Sequence, residues 1–536
     1  MTVMDRVEGA TSPRAGGADW ARAITSDHAI LIGILIVAAV ARFYHIRLPL
    51  VDAFSWREAS SAMMAQNFRD GSWNIFFPEV DWTGPGPSYQ GREFQLFGYI
   101  VALLSVPFGW HDWLGRLIAG LFGLLTVFSL HRLVALIWDE VHAHLTALAY
   151  ALMPGAIMID SSFIPDPAML AMVTLGIWLF VRYWVTGTAY LLPFAAAAFT
   201  MGALAKLPGL AAGLVVAYLT AIWTWRGEWQ RAKMVLLFGG GALMLVFGYY
   251  AWAVYLGNSY PPYHVAGSGY IWDDGVWRLI EARFYLGSAR DTAIWWFYGY
   301  PLLLLMVVGL FSPYPDASGG RDPALRFVPL VWLVAGGMLY LAAAREINNN
   351  PWNFHFLHVP LAIFAGRGML LLANFERGSI RAPAALTRLG IIVALVLAAS
   401  TLPLVRVMKQ PIAENAKLMG DRLAAFRRAG DLSIVVAPDV GDPLAIYYSR
   451  GRGWVFPQGG GNTDWSVFLK DDATAIAQLE GLRRQGADWF AVAKNAQDGQ
   501  GRTFLKHHAG VIAHLNATAR LVEDTDNYMI YQLRRD

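Results

Sequence analysis

The run AILIGILIVAAV, residues 29–40, lies inside an apolar segment from 28 to 47. A helix needs about 20 mostly apolar residues to cross a bilayer, so this segment is long enough to do so. Arg6, Arg14 and Arg22 precede it, but no small-residue cleavage site of the secretory kind follows it. We therefore predict that it is a retained first span and not a removed signal sequence.

Segments of the same kind recur along the chain, which makes about eleven predicted spans. After the first, they are 114–136, 141–159, 167–185, 188–205, 207–225, 233–256, 293–311, 326–344, 354–373 and 386–408. Segment 94–109 is apolar but shorter, and we predict a helix lying in the membrane interface. The sequence thus predicts a mostly α-helical, polytopic membrane protein of about 11–13 transmembrane helices.

The composition agrees with a membrane protein and excludes several other classes. Of 536 residues, 56% are hydrophobic and 15% are charged, against roughly 25% charged in soluble domains. A net charge of +3 is too weak and scattered for a nucleic-acid-binding surface. The chain has no cysteine, which excludes thiol catalysis, thiolate metal sites and disulfides.

Three short loops carry clusters of Lys and Arg, and alternate-loop counting puts all three on the side of the N-terminus. They are Arg226, Arg231 and Lys233; Arg321 and Arg326; and Arg377, Arg381 and Arg388. The positive-inside rule makes that side cytoplasmic. The loop 48–113 and everything after Arg406 are then extracytoplasmic.

The tail from residue 412 differs in kind, because strand-like and helix-like patterns alternate there. The predicted elements are strands at Ser433–Ala437, Asp488–Ala493 and Asn527–Leu533, and a helix at Ala473–Arg484. We predict a small α/β domain on the outer face. The expected division is a cytoplasmic segment 1–27, a membrane domain 28–411 with a long first periplasmic loop 48–113, and a periplasmic α/β domain 412–536.

Charged residues gather on the predicted outer side, where they are candidates for function. They are Asp52, Arg57, Glu58, Asp81, Arg92 and Glu93 in the first loop, followed by Asp166, Lys206, His264, Arg345, His355 and His358. A carboxylate can deprotonate an acceptor hydroxyl, and Lys and Arg can hold a leaving phosphate. The pattern indicates a site for a phosphorylated lipid at membrane depth.

Each of these residues also has a simpler interpretation. A loop carboxylate can be merely solvated, and Lys206 can snorkel to the interface. His355 and His358 are three residues apart and share a helix face, so they can bind phosphate or a metal, or can be satisfied interfacial histidines. Asp81 is a candidate substrate or metal contact on the same grounds.

Several short motifs resemble the GT-C-fold polyprenyl-phosphate-sugar glycosyltransferases, in particular bacterial aminoarabinose transferase and protein O-mannosyltransferase-like enzymes. The likeness covers roughly residues 28–408. The motifs are Ser55-Trp56-Arg57-Glu58, Ala65-Gln66-Asn67-Phe68, Asn74-Ile75-Phe76-Phe77-Pro78, Val80-Asp81-Trp82, Pro165-Asp166-Pro167, Lys206-Leu207-Pro208 and Ala365-Gly366-Arg367-Gly368.

The resemblance implies a catalytic acidic residue just after the first span, often in an Asp-Glu pair. When the helix that follows is aligned with the family's, that pair falls on Arg57 and Glu58. Arg57 therefore stands where the family has the Asp. We take Asp52 as the first candidate for the base and Glu58 as the second. If both were helical, six residues would be about 1.7 turns, and they would point to different sides.

The resemblance also implies roles further along the chain. Asp166 matches a second catalytic acidic position, and Lys206 matches a lysine that contacts the lipid phosphate, with Arg57 and Arg345 as helpers. Glu93 and His264 lie in loops that relatives bring together, sometimes around a divalent metal. No cofactor is otherwise expected.

The expected protein is a glycosyltransferase of the bacterial inner membrane that acts on the periplasmic side. It would transfer a hexosyl or pentosyl group from a polyprenyl-phosphate donor to a glycan, lipid or protein acceptor, and the anomeric configuration would invert. Its partners would include membrane lipids but no nucleic acid. Two alternatives stay open: a transporter or flippase for a lipid-linked glycan, and a glycan polymerase or ligase that uses a lipid-diphosphate donor.

Overall fold

The computed structural model describes residues 17–264, 270–291, 293–315, 321–375, 383–458 and 467–534. Helices dominate up to residue 426. They are α1 (Gly17–Phe43), α2 (Ser55–Asp70), α3 (Leu96–Phe108), α4 (Asp112–Ile137), α5 (Glu140–Ala151), α6 (Pro154–Asp160), α7 (Asp166–Thr186), α8 (Leu191–Ala205), α9 (Gly213–Trp225), α10 (Trp229–Ser259), α11 (Ile271–Asp274), α12 (Ala282–Asp291), α13 (Ala293–Leu310), α14 (Val328–Ala342), α15 (Ala344–Asn349), α16 (His355–Phe375), α17 (Pro383–Met408) and α18 (Glu414–Phe426).

Six helical segments in the described part of the chain are long and apolar enough to cross a membrane, and seven if the bent pair α5 and α6 forms one span. Four shorter apolar helices accompany them: Leu96–Phe108, Leu191–Ala205, Trp296–Leu310 and Ile392–Met408. The predicted fold class is confirmed, and segment 94–109 forms a short helix as expected. The count of eleven spans stays a prediction, because three of the expected spans fall among the shorter helices and the first, 28–47, is in neither group.

A proline break shapes the centre of the bundle. Helix α5 and helix α6 meet at 65°, with Met153 in an extended conformation between them. The residue before a proline avoids the helical region, so Pro154 ends one helix and starts the next. The chain then turns after Asp160 and starts α7 at Asp166. This turn places both aspartates near one end of the bundle.

The C-terminal part forms a five-stranded sheet with small helices packed around it. The strands are β1 (Leu432–Val436), β2 (Arg452–Val455), β3 (Ala487–Ala493), β4 (Arg520–Asp524) and β5 (Tyr528–Gln532), and the helices are α19 (Leu444–Ser449), α20 (Asp472–Arg484), α21 (Phe504–His507) and α22 (Ala509–Thr518). The order is β2-β1-β3-β5-β4, parallel among the first three strands and antiparallel among the last three. The three predicted strands and the predicted helix are present, whereas β2 and β4 were not predicted.

The first long loop pairs with the open edge of this sheet. The Gly84 amide donates to the Gly453 carbonyl at 2.7 Å, and the Gly453 amide donates to the Asp81 carbonyl at 2.9 Å. Gly84 has φ +113°, and a Cβ there would lie 2.6 Å from the indole nitrogen of Trp454. Only glycine fits so close to β2 in this conformation. An edge strand that would otherwise expose unpaired backbone groups is thereby covered.

Charged side chains reinforce this seam between the loop and the sheet. Arg452 Nη2 lies 2.6 Å from Glu79 Oε1, and Arg452 Nε lies 3.7 Å from Asp81 Oδ1. The Asn67 amide nitrogen is 3.2 Å from both oxygens of Asp81. Burial raises the pKa of Asp81 to about 6, and the opposing charge of Arg452 offsets only part of that shift.

Asp81→Asn tests the seam through its pH dependence. A carboxyl whose pKa is raised by folding stabilises the fold fully below its unfolded pKa, and this stabilisation is lost as the pH rises through about 6. In the detergent-purified wild-type chain, this loss should lower the melting temperature between pH 4 and pH 6.5. We expect a smaller decrease over the same range in the Asp81→Asn variant.

The matched control for this experiment is Asp421→Asn, which changes a surface aspartate paired with Lys417 and should keep the wild-type pH profile. An identical pH profile in wild type and Asp81→Asn would contradict the assignment of the titrating group.

Candidate active site

The pair of Lys206 and Asp166 forms the centre of the candidate site. Asp166 is the first residue of α7 and Lys206 directly follows α8, so the antiparallel helices bring the two residues to the same end. Lys206 Nζ lies 2.6 Å from Asp166 Oδ1, and the side chains are 13% and 0% exposed. Asp166 occupies the N-terminal end of α7, where the helix dipole favours negative charge.

A second ion pair lies beside the first. Arg57 of α2 pairs with Glu93, and both are buried. The Phe94 amide donates to the carbonyl of Leu204 at 2.9 Å, which fixes the strand-like segment 91–95 against the end of α8. Glu93 is thereby held close to Lys206, and the two pairs form one charged group.

A cavity of about 110 Å³ opens beside Glu93 and Lys206, one member of each pair. Its polar lining consists of Glu93, Lys206, Tyr250, Tyr270, Glu346 and Asn353. Three buried polar atoms in the same region have no hydrogen-bond partner among the described residues: Arg57 Nη1, Arg92 Nε and Asp166 Oδ2. Buried polar groups are nearly always satisfied in native proteins. Two unused donors and one unused acceptor therefore indicate a place for a polar ligand.

The charges around the cavity influence one another strongly. Burial alone would raise the pKa of Glu93, but the guanidinium groups of Arg57 and Arg92 overcome it and lower that pKa to about 2. Burial and the neighbouring charge of Arg57 lower the pKa of Arg92 to about 10. Burial raises the pKa of Glu346, which lies in the cavity wall. Glu93 therefore stays ionised in its pair with Arg57, whereas Glu346 binds a proton more readily than an ordinary glutamate does.

Asp52 and Glu58 lie in a different, fully buried network. Arg116 Nη2 is 3.1 Å from Asp52 Oδ2 and 3.0 Å from Glu58 Oε2, and Lys409 Nζ is 2.9 Å from Asp52 Oδ2. The Phe163 amide donates to Glu58 Oε1 at 2.7 Å. Within the described residues, neither carboxylate lines the cavity beside Lys206.

The condition under which Asp52 and Glu58 would point to different sides, that both are helical, is not met, and both contact the same nitrogen of Arg116. The reason is that α2 begins only at Ser55, so helical spacing does not apply to Asp52. Burial opposes ionisation of Asp52, yet Lys409 and Arg116 hold its pKa below its usual range. Burial raises the pKa of Glu58 to about 7, against the attraction of Arg116.

The histidines of α16 belong to a third cluster, inside the bundle. His355 Nδ1 and His358 Nδ1 are 3.0 Å apart, and His355 Nε2 is 3.1 Å from Asp160 Oδ1. Arg42 of α1 closes the group with contacts of 2.8 and 3.0 Å to Asp160 Oδ2. The shared helix face is as predicted, but it packs against Asp160, and the cluster ties α1, α6 and α16 together.

The chain is similar to several known proteins. The family model described as dolichyl-phosphate-mannose-protein mannosyltransferase matches residues 95–252. A comparison with curated protein sequences gives no match. ArnT from Cupriavidus metallidurans in the apo state superposes with a TM-score of 0.62 at 14% identity, covering 94% of this chain and 97% of that chain.

Two further solved structures have a similar fold. ArnT from Cupriavidus metallidurans bound to undecaprenyl phosphate gives a TM-score of 0.60 at 13% identity, covering 97% of this chain and 99% of that chain. The apo oligosaccharyltransferase of Archaeoglobus fulgidus gives 0.57 at 11% identity, covering 86% and 69%. The chain has the GT-C fold. The resemblance stated from the sequence motifs is confirmed at the level of the fold.

Other predicted residues lie at the margin of the GT-C site. Arg345 is half-exposed and its Nη1 donates to Asp274 Oδ1 at 2.9 Å, so it fixes α15 to α11 and does not line the cavity. His264 follows α10, directly before residues that the structure does not describe. Asp81 belongs to the seam with β2. Among the described residues, Asp81 therefore lies in the seam and outside the lining of the charged cavity.

Sequence reasoning missed three residues of these charged groups: Arg116, Glu346 and Lys409. A signal existed for Arg116, because an arginine inside a predicted span needs a buried partner. Lys409 directly follows the last predicted span, and Glu346 adjoins Arg345. No local pattern distinguishes these two from ordinary interfacial charges, since their partners are distant in sequence.

Arg116→Leu tests the buried network. Removing one partner of a buried ion pair leaves an uncompensated charge and costs about 3–5 kcal/mol. Because Arg116 contacts both carboxylates whereas Lys409 contacts only Asp52 of the two, Arg116→Leu should lower the melting temperature of the purified chain more than Lys409→Met does.

The control is Arg422→Leu, which breaks a surface pair with Glu523 and should have little effect, since solvent and salt screen exposed ion pairs. Equal melting temperatures for Arg116→Leu and the wild-type chain would show that the network does not stabilise the fold.

Proposed function

We propose that the chain is a membrane glycosyltransferase that transfers a sugar from a polyprenyl-phosphate donor at the cavity beside Lys206. The observation that carries this proposal is the set of unused buried donors, Arg57 Nη1 and Arg92 Nε, next to the partly exposed Lys206 ammonium. Three cations there suit the phosphate group of a lipid-linked sugar. The GT-C fold and the matched family model support the same reaction class.

An apolar groove supports a lipid-linked donor in particular. A cavity of about 770 Å³ lies among α7, α8, α9 and α10, and its lining is almost entirely apolar. Leu207 and Pro208 belong to the lining of the charged cavity, and Leu210 belongs to the lining of the apolar one. Since one short segment borders both, a phosphate at Lys206 can have its isoprenoid chain in the groove.

Asp166 is the carboxylate that we place at the reacting groups. Its Oδ1 holds Lys206, and its buried Oδ2 has no partner among the residues described. We infer that Oδ2 takes the proton of the acceptor hydroxyl. The acceptor oxygen then bonds to the anomeric carbon from the opposite face, the bond from that carbon to the phosphate oxygen breaks, and the anomeric configuration inverts.

The leaving polyprenyl phosphate keeps the electrons of the broken bond. Lys206 and the guanidinium groups of Arg57 and Arg92 stabilise this added negative charge. Asp52 and Glu58 act at a distance in this scheme, because the network of Arg116 positions α2 and hence Arg57. If the acceptor is itself a phosphate, no base is required, and Asp166 only orients Lys206.

We place the site on the extracytoplasmic face of a bacterial inner membrane, following the Lys and Arg count of the loops. Sugar identity and acceptor class are those expected from the resemblance: a hexose or pentose passed to a glycan, lipid or protein. A lipid-diphosphate polymerase or ligase would use the same cations. A flippase would need the charged groups to line a path through the membrane, whereas Arg42, Asp160 and His355 contact one another in a buried cluster.

Lys206→Ala tests the phosphate site without knowledge of the sugar. A charge-assisted contact is worth roughly 1.5–3 kcal/mol, so binding of polyprenyl phosphate should weaken about tenfold to a hundredfold. Lys206→Arg should restore part of it, because a planar fork differs from a point charge. Native mass spectrometry of the detergent-purified chain with added polyprenyl phosphate measures this.

Arg345→Ala is the comparison, since it removes a cation near the site but outside the cavity wall. We expect a change of less than about fivefold, as for an exposed ion pair. If Lys206→Ala binds polyprenyl phosphate as well as the wild type does, the donor phosphate lies elsewhere.

Asp166→Asn tests the base. Loss of a general base costs about 10²–10⁴ in rate, so transfer of radiolabelled sugar from a polyprenyl-phosphate donor to an envelope fraction should fall by that factor. Binding of polyprenyl phosphate should change far less, because the asparagine oxygen can still accept from Lys206. If transfer persists in Asp166→Asn but is lost in Glu346→Gln, then Glu346 is the base.

A further inference from the structure

Two histidines and a glutamate converge at the end of the bundle away from Lys206. His131 lies near the end of α4, and Glu140 and His144 lie on α5. His131 Nε2 is 3.0 Å from His144 Nδ1 and 3.7 Å from Glu140 Oε2. Within the described residues, this is the one group of three such side chains whose ligand atoms all lie within 4.8 Å of one another.

The cluster is remote from the proposed reaction. Arg116 lies at the Lys206 end of α4, and His131 follows it by fifteen residues, which is about 22 Å along a helix. Asp27 of α1 reaches the same place, with its Oδ1 3.5 Å from His144 Nε2. By the loop charges, this end faces the cytoplasm. Any ligand here is therefore distinct from the donor and acceptor.

The atoms are arranged as metal ligands are. Two ligands at 2.0–2.1 Å from Zn²⁺ with tetrahedral angles lie about 3.3 Å apart, close to the separation of the two ring nitrogens. Glu140 Oε2 is buried without a hydrogen-bond partner. If His144 binds through Nδ1, its Nε2 faces Asp27, and a carboxylate behind a ligating imidazole is the usual orienting partner.

Exposure also fits an ion that enters from solvent. The His131 side chain is 2% exposed, whereas the side chains of Glu140 and Asp27 are 43% and 46% exposed. The deep histidine and the open carboxylates leave one side of the cluster accessible to water, which can complete the coordination. Two imidazoles with one carboxylate are a ligand set typical of zinc and other divalent transition metals.

We propose that His131 Nε2, His144 Nδ1 and Glu140 Oε2 bind a divalent transition metal, with zinc the best fit, and that Asp27 orients His144. The ion joins α4 to α5 directly and joins α1 to them through Asp27. It stabilises the bundle and takes no part in sugar transfer, so this proposal is independent of the proposed function.

The experiment uses the full chain in detergent, without a histidine tag and stripped of metal with EDTA. Added zinc should bind at about one ion per chain by mass spectrometry of the metal content, and the melting temperature should rise with zinc concentration. His131→Ala and His144→Ala should abolish both effects. Asp27→Asn should keep the stoichiometry but weaken affinity about tenfold or more, as expected for an orienting partner.

His514→Ala is the matched control, because it removes a histidine that pairs with Glu480 in the C-terminal domain. It should retain the zinc effect. If a histidine variant fails to fold, Glu140→Gln replaces it, since that side chain is 43% exposed and its loss should lower affinity while the chain still folds. The proposal is overturned if wild type binds no zinc, or if Glu140→Gln and His144→Ala bind it as tightly as wild type does.

Discussion

The guanidinium of Arg116 is the contact on which the rest of the site depends. It joins two carboxylates that come from outside the bundle, Asp52 and Glu58, to a membrane helix at a depth from which water is excluded. Such charges are stable only when they compensate one another. The start of α2 therefore has a single position relative to α4. Arg57 lies one residue before Glu58, so this constraint also sets where its guanidinium can reach.

The cavity beside Lys206 has the opposite electrostatic character. Its pairs are incomplete, with buried donors on Arg57 and Arg92 and a buried acceptor on Asp166 left unused in the described structure. A network whose charges compensate one another thus lies next to one whose charged groups keep unused donors and acceptors. The first network fixes the backbone, so that the second can hold unpaired charge without collapsing onto itself.

Much of this arrangement could be predicted from the sequence. The remaining contacts could not be predicted, and the causes are physical. Apolar length predicted the helices, and alternation predicted β1, β3 and β5. Asp166 and Lys206 were both predicted to lie on the outer side, and the structure joins them in one ion pair. The partners of Asp52 could not be predicted, because Arg116 and Lys409 are 64 and 357 residues away along the chain.

The strands β2 and β4 were missed for a related reason. β2 contains only Arg-Gly-Trp-Val, too short for an alternating pattern, and it owes its position to β1 on one side and the loop at Gly84 on the other. Likewise, the one-face prediction for His355 and His358 was right, but the sequence did not reveal that Asp160 and Arg42 occupy that face. Periodicity predicts which residues share a face and leaves open what the face touches.

The pairing between the loop at Asp81–Gly84 and β2 has a consequence for biosynthesis. Ribosomes release the loop some 370 residues before its partner Arg452, since the contact of Arg452 with Glu79 spans 373 positions. During that interval the loop has no sheet edge to join. The same loop continues into Arg92 and Glu93, so the segment that borders the charged cavity gains its contact with β2 only after the C-terminal sheet has been translated.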